Sequence, residues 1–229
     1  METSNAMSPQ VSPSSYWISG LGLVILPLVV MYTPGNLGSP LAVGLVFLLS
    51  YLEKSGNVFA SVGFRKKDRT WKQLGLWAPL FAIGLTLLYV FVLAPLAQGV
   101  TGEALDLSAF DALRDNPVAL MVTLPVVWAI AAFGEEIVFR GYMMQRFTRL
   151  FGNSKLSLVL NILLISAVFG YAHNYQGLSG ILLAGTTGAI LATIFHFKRY
   201  NLWFNIIIHG VVDTFALIIF YLGAHDYLF

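Results

Sequence analysis

The chain has 229 residues, of which 57% are hydrophobic and only 10% charged, against roughly 25% charged in soluble domains. With a mean hydropathy of +0.76, that composition excludes a soluble domain on a single anchor and predicts an all-α, polytopic transmembrane helical bundle. A net charge of +2 singles out no partner and no nucleic-acid binding is expected, while the lack of cysteine excludes disulfides and thiolate-held metals.

Residues 1–14 are polar, with Pro9 and Pro13 and no basic run ahead of an apolar stretch, so no cleavable signal peptide is expected. Residues 15–229 read as one membrane-embedded domain. A membrane-crossing helix needs about 20 mainly apolar residues. Seven candidates follow in order, near 15–33, 40–53, 74–97, 117–139, 156–173, 177–195 and 202–222, with six to eight crossings compatible with the pattern. The second is the shortest. Between the second and third lies a basic, Trp-containing stretch, Phe64-Arg65-Lys66-Lys67-Asp68-Arg69-Thr70-Trp71-Lys72. It reads either as a helix resting on anionic headgroups or as a loop that sets topology. The sixth candidate carries Gly180, Ala184, Gly188 and Ala192 at four-residue spacing, a stripe that lets another helix approach closely.

Twelve of the thirteen Lys and Arg fall on one side if the chain starts inside. Arg114 alone falls opposite, in a loop with Glu103, Asp106, Asp111 and Asp115. The positive-inside rule then places the N-terminus in the cytoplasm and the C-terminus outside.

The polar residues inside the apolar stretches carry the functional information. An ionisable side chain at a helix centre costs about 2.5–3.5 kcal/mol on insertion scales. The fourth candidate nevertheless holds Glu135 and Glu136, with Arg140 one turn on; His173, His209 and Asp213 follow. Glu136 and Arg140 are i and i+4, so they share a face and can pair. Glu135 points about 100° away and has no such partner on its own helix. Glu135 is therefore the acid free for chemistry, and Glu136 the supporting one. Phe169 and His173, and His209 and Asp213, repeat the four-residue spacing on two further helices. If the fourth helix continues to about Arg149, then Glu135, His173 and Asp213 lie roughly 20–25 Å from their helix ends and can meet in one pocket.

Other intramembrane chemistries leave weaker traces. No H-E-x-x-H zinc motif and no Gly-x-Gly-Asp motif occurs. Gly177-Leu178-Ser179-Gly180 matches the G-x-S-G of rhomboid serine proteases, with His209 downstream, but Ser179 reads first as a small packing residue. His196 and His225 sit at helix ends and read as surface groups.

The segment Phe133-Gly134-Glu135-Glu136-Ile137-Val138-Phe139-Arg140-Gly141, with Phe169-x-x-x-His173 and His209-x-x-x-Asp213, resembles the three motifs of the CPBP family. These are the CAAX proteases and bacteriocin-processing proteins, also called Abi or type II CAAX prenyl endopeptidase-like. The resemblance spans roughly 117–215, the expected catalytic core. It implies that Glu135 and His173 activate a water, that His209 and the residue at 213 stabilise the oxyanion, and that Glu136, Arg140 and Phe169 support the site. Many members carry Asn where this chain has Asp213. An ionised carboxylate only accepts hydrogen bonds and is a poor oxyanion stabiliser. Asp213 is then either protonated or an orienting partner of His209. Glu135, Glu136, His173 and His209 could also ligate one zinc ion, and the residues equally suit a metal-free mechanism.

The expected activity is an intramembrane endopeptidase of glutamate or metallo type, acting on a membrane-embedded or lipid-associated peptide or protein. A prokaryotic plasma membrane is the expected location. Two other readings remain: a non-catalytic scaffold or immunity partner that keeps the polar core for structure, and a proton-coupled transporter using Glu135, His173 and His209 as a relay. Oligomeric state has no sequence signal.

Overall fold

The computed structural model describes residues 13–34, 37–64 and 70–228. The polar N-terminal segment up to residue 12, and most of the basic stretch (65–69), lie outside them. The described residues contain helices and turns and no strand. Among the described residues, six helices are long and apolar enough to cross a membrane: α1 (Pro13–Tyr32), α4 (Lys72–Thr101), α5 (Pro117–Phe151), α6 (Lys155–Ala172), α7 (Gly177–Phe197) and α8 (Leu202–Tyr221). The shorter apolar α2 (Gly38–Leu52) lies between α1 and α4, followed by the one-turn α3 (Val58–Ser61). These helices make the protein an integral membrane protein of the polytopic bundle class.

Local chemistry sets the helix starts. Asn116 caps α5 by accepting from the Ala119 amide at 3.0 Å, with Pro117 next, where a missing N–H costs nothing. Ser154 caps α6 through the Ser157 amide at 3.1 Å, and Asn201 caps α8 through the Phe204 amide at 3.3 Å. α5 extends well past the limit its hydropathy suggests, and α4 only by a few residues. The reason in α5 is that its second half is polar but buried, so it remains helical beyond the apolar run.

Parts of these two helices are wound more widely than an α-helix, with π-type i→i+5 bonding: 72–77 and 89–93 in α4, and Trp128–Met144 in α5. A proline follows each widened stretch of α4, Pro79 and Pro95. A proline ring removes one N–H and crowds the carbonyl a turn before it, and a widened turn accommodates both effects.

Contacts at the helix ends define two ends of the bundle. At one, Arg149 near the end of α5 reaches Ser15 and Ser19 at the start of α1, and Glu53 just past α2. The Leu202 amide, at the start of α8, bonds the Gly63 carbonyl at the same end. At the other end, the Asp115 amide bonds the carbonyl of Tyr221, and Arg114 pairs with Asp226. The chain thus alternates between the two ends, with α5 central. It packs against α1 and α2 on one side, α8 on another, and α6. Residues Glu136 to Met144 of α5 are buried without interruption.

A buried ionic knot secures the first end. Glu53 accepts from Ser19 and from the Tyr142 hydroxyl, both at 2.8 Å, and pairs with Arg146 at 2.8 Å and Arg149 at 3.2 Å. Burial alone would push the Glu53 carboxyl up, yet Arg146 beside it holds it below the ordinary carboxylate range. Arg146, one of the twelve Lys and Arg counted on one side of the membrane, is therefore an interior cation tying α1, α2 and α5 together.

Candidate active site

The site forms where α5, α6 and α8 meet. Glu136 and Arg140 pair at 3.0 Å with side chains 0% and 1% exposed. Arg140 also donates through Nη2 to the Gly188 carbonyl of α7 at 3.0 Å, and its guanidinium lies 4.5 Å over the Phe169 ring. The approach depends on Gly188: a Cβ there would lie 3.0 Å from the Phe169 ring and 3.5 Å from Arg140. The small-residue stripe of α7 thus admits the arginine and the aromatic ring of the site.

The remaining bonding capacity of Glu136 is also engaged. Oε1 accepts from His209 Nδ1 at 3.0 Å, and Oε2 accepts from Asn205 Nδ2 at 3.2 Å. Asn205 also donates to the Leu191 carbonyl at 2.8 Å, fixing its amide. Glu136 is therefore a four-helix tie, reaching its own helix directly, α8 twice, and α6 and α7 through Arg140. Asn205 was not singled out from the sequence. Its signal is the spacing Asn205, His209, Asp213, three polar residues at successive four-residue steps on one face of α8.

Glu135 lies on the other side of the imidazole. His209 Nε2 is 4.0 Å from Glu135 Oε2 and 3.6 Å from Asp213 Oδ2. Both of those carboxylate oxygens are buried without a hydrogen-bond partner. Their side chains are 16% and 24% exposed, in contrast to the sealed Glu136. One sealed, saturated acid and two partly open ones share a single histidine. Glu136 holds His209 Nδ1, and Asp213 stands on the Nε2 side of the same ring. The Trp128 indole donates to Thr214 at 3.0 Å, fixing α8 against α5 beside Asp213.

His173 is not in the body of a helix. It is the C-terminal cap of α6, where the chain turns through Asn174–Gln176 into α7. Its Nδ1 lies 2.8 Å from the Phe169 carbonyl. A carbonyl only accepts, so Nδ1 carries the proton and Nε2 of the neutral ring presents a lone pair. Phe169 is the spacer of the site: its ring is 4.8 Å from the His173 ring, 6.3 Å from His209 and 5.0 Å from Phe139. The hairpin of α6 and α7 is tight at this level because Gly170 sits on backbone, where a Cβ would lie 2.6 Å from the Ile181 carbonyl oxygen.

Ser179 is placed elsewhere. It is buried, and its hydroxyl lies 2.6 Å from the Glu103 carbonyl and 2.5 Å from Thr101 Oγ1. It ties the α6–α7 turn to the acidic loop, so the serine-protease reading has no support from its surroundings. His196 lies 3.2 Å from the Tyr200 hydroxyl, and His225 lies 3.4 Å from Asp226, both away from the site.

The zinc set weighed from the sequence does not fit this arrangement. Glu136 is consumed by Arg140, His209 and Asn205, which removes it as a ligand. Zinc ligands lie near 2.0–2.2 Å from the ion and converge on it. Among the described residues no three His, Asp or Glu do so.

No curated protein and no solved structure matches the chain significantly. A family model does: residues 117–215 match the type II CAAX prenyl endopeptidase Rce1-like family. The matched segment begins at the first residue of α5, ends two residues past Asp213, and contains all three motifs. That segment is similar to the Rce1-like family, which is consistent with the CAAX protease (CPBP) resemblance of its motifs and supports CAAX-type protease activity in general.

Proposed function

We propose that the protein is an intramembrane endopeptidase in which Glu135 and His173 activate a water molecule. The observation that carries this reading is the division of labour around His209. Glu136 is saturated and closed off, while Glu135 Oε2 is buried, unpartnered and beside the partly open pocket. A lone buried carboxylate next to an imidazole is the arrangement a general base requires.

In the proposed cycle the water's oxygen adds to the scissile carbonyl carbon as its proton passes to Glu135. His173 Nε2 accepts a second hydrogen bond from the same water and orients it. The C–N bond then breaks, and the proton on Glu135 moves to the departing amine nitrogen. His209, as an imidazolium with Nδ1–H donating to Glu136, donates its Nε2–H to the developing oxyanion. No metal takes part in these steps.

The proposed substrate is a membrane-associated peptide or protein, a reading supported by the family match and the apolar surroundings of the site. A prokaryotic plasma membrane, with the N-terminus cytoplasmic, completes the proposal. A test uses the full chain in proteoliposomes, given a farnesylated CAAX-type peptide and an unprenylated membrane-anchored peptide, with new termini read by mass spectrometry. Cleavage by the native chain and a loss of at least about 100-fold in Glu135→Gln are expected, on the usual scale of a lost general base. Undiminished cleavage by Glu135→Gln would rule the mechanism out, and loss of activity with chelator that zinc restores would require a metal.

A further inference from the structure

In its ionised form Asp213 poses a chemical problem for the proposed reaction, because a carboxylate cannot donate to an oxyanion. A second donor on the pocket would solve it, and the turn after His173 carries one. Tyr175 sits two residues past His173, with its ring 6.0 Å from the imidazole. The turn is held on both sides: the Gln176 amide bonds the His173 carbonyl at 3.0 Å, and the Gln176 carbonyl accepts from Asp106 at 3.1 Å. Gln176 Nε2 donates to the Tyr175 hydroxyl oxygen at 3.0 Å. That contact occupies an acceptor site of the phenol and leaves its O–H to point elsewhere. The residue is 49% exposed, so an incoming chain can reach it, and the phenol lies within electrostatic reach of both Glu135 and Asp213.

Resting on the peptidase reading, we propose that Tyr175 is a further catalytic residue, whose O–H donates to the scissile carbonyl oxygen as it becomes an oxyanion. The phenol supplies from the α6–α7 turn the donor that an ionised Asp213 lacks. Its alignment comes from Gln176 and from the anchoring of the turn by Asp106, so the acidic loop contributes to catalysis through position alone.

The test compares Tyr175→Phe with the native chain, each also combined with Asp213→Asn, in proteoliposomes with the farnesylated CAAX-type peptide. Tyr175→Phe is expected to lower kcat about 100-fold, the scale of one lost oxyanion donor, with KM nearly unchanged. In the Asp213→Asn background, where an amide can donate, the same change should cost clearly less. A full kcat in Tyr175→Phe, a change in KM alone, or an equal loss in both backgrounds would overturn the proposal. A second probe does not need turnover: the same peptide with a phosphinate replacing the scissile amide. Tyr175→Phe should weaken its binding by a factor similar to the kcat loss, and equal binding by both proteins would overturn the assignment. Absence of cleavage by the native chain would count against the peptidase reading, while the phosphinate comparison would still decide Tyr175.

Discussion

At the scale of single residues, two adjacent acids have opposite environments because they leave one helix in different directions. Glu136 faces inward and collects a guanidinium, an imidazole and an amide; Glu135 faces the partly open side and collects none within bonding distance. Breaking a buried ion pair by removing one partner strands the other charge, at a cost of about 3–5 kcal/mol. Arg140→Met should therefore lower stability by that order. Adding Glu136→Gln to the same chain should recover part of it, since the amide carries no charge to strand. Thermal unfolding in detergent should rank native chain, double variant and Arg140→Met in descending order. A single variant as stable as the native chain would show that the pair does not hold the site together.

At the scale of elements, the α6–α7 hairpin sets the position of His173. Its closeness rests on Gly170, which meets backbone of α7 that cannot move aside: a Cβ would lie 2.6 Å from the Ile181 oxygen and 2.9 Å from Gly185 Cα. Gly170→Ala should destabilise by about 1–3 kcal/mol through overpacking. It should also reduce cleavage by displacing His173, three residues on. Gly84→Ala in α4 is the control, because nothing lies within 4 Å of a Cβ there, and it should be neutral or slightly stabilising. Equal melting temperatures for the two variants would contradict the account of the hairpin. Ser179 acts at this scale too, as the tie between the hairpin and the acidic loop.

At the scale of the whole molecule, the alternation of helices sorts the charges between two ends. The described basic residues beyond the site gather with the Glu53 knot at one end, and the acidic loop with Arg114 lies at the other. The positive-inside rule predicts that the first end is cytoplasmic. Because the chain contains no cysteine, single introduced cysteines report this directly. Ala109→Cys should react with a membrane-impermeant maleimide on intact cells, and Asn153→Cys only after permeabilisation. The reverse pattern would invert the topology.

The sequence by itself determined the class of fold and the motif residues. Hydropathy is a property of a chain segment, and the four-residue spacings of Glu136 with Arg140 and of His209 with Asp213 are properties of one helix. The stripe on α7 was legible as a close-packing face for the same reason, although not what it would admit. The tertiary structure decided every relation between helices. It put Glu136 on Nδ1 of His209 and Asp213 on the Nε2 side, brought in Asn205, placed His173 at a turn, and made Arg146 an interior cation. It also extended α5 through its polar half, which hydropathy could not foresee because those polar groups find their partners on other helices. Bonds within one helix repeat at a fixed spacing and can be read along the chain. Bonds between helices depend on which faces meet, and these are set by packing at positions such as Gly170 and Gly188.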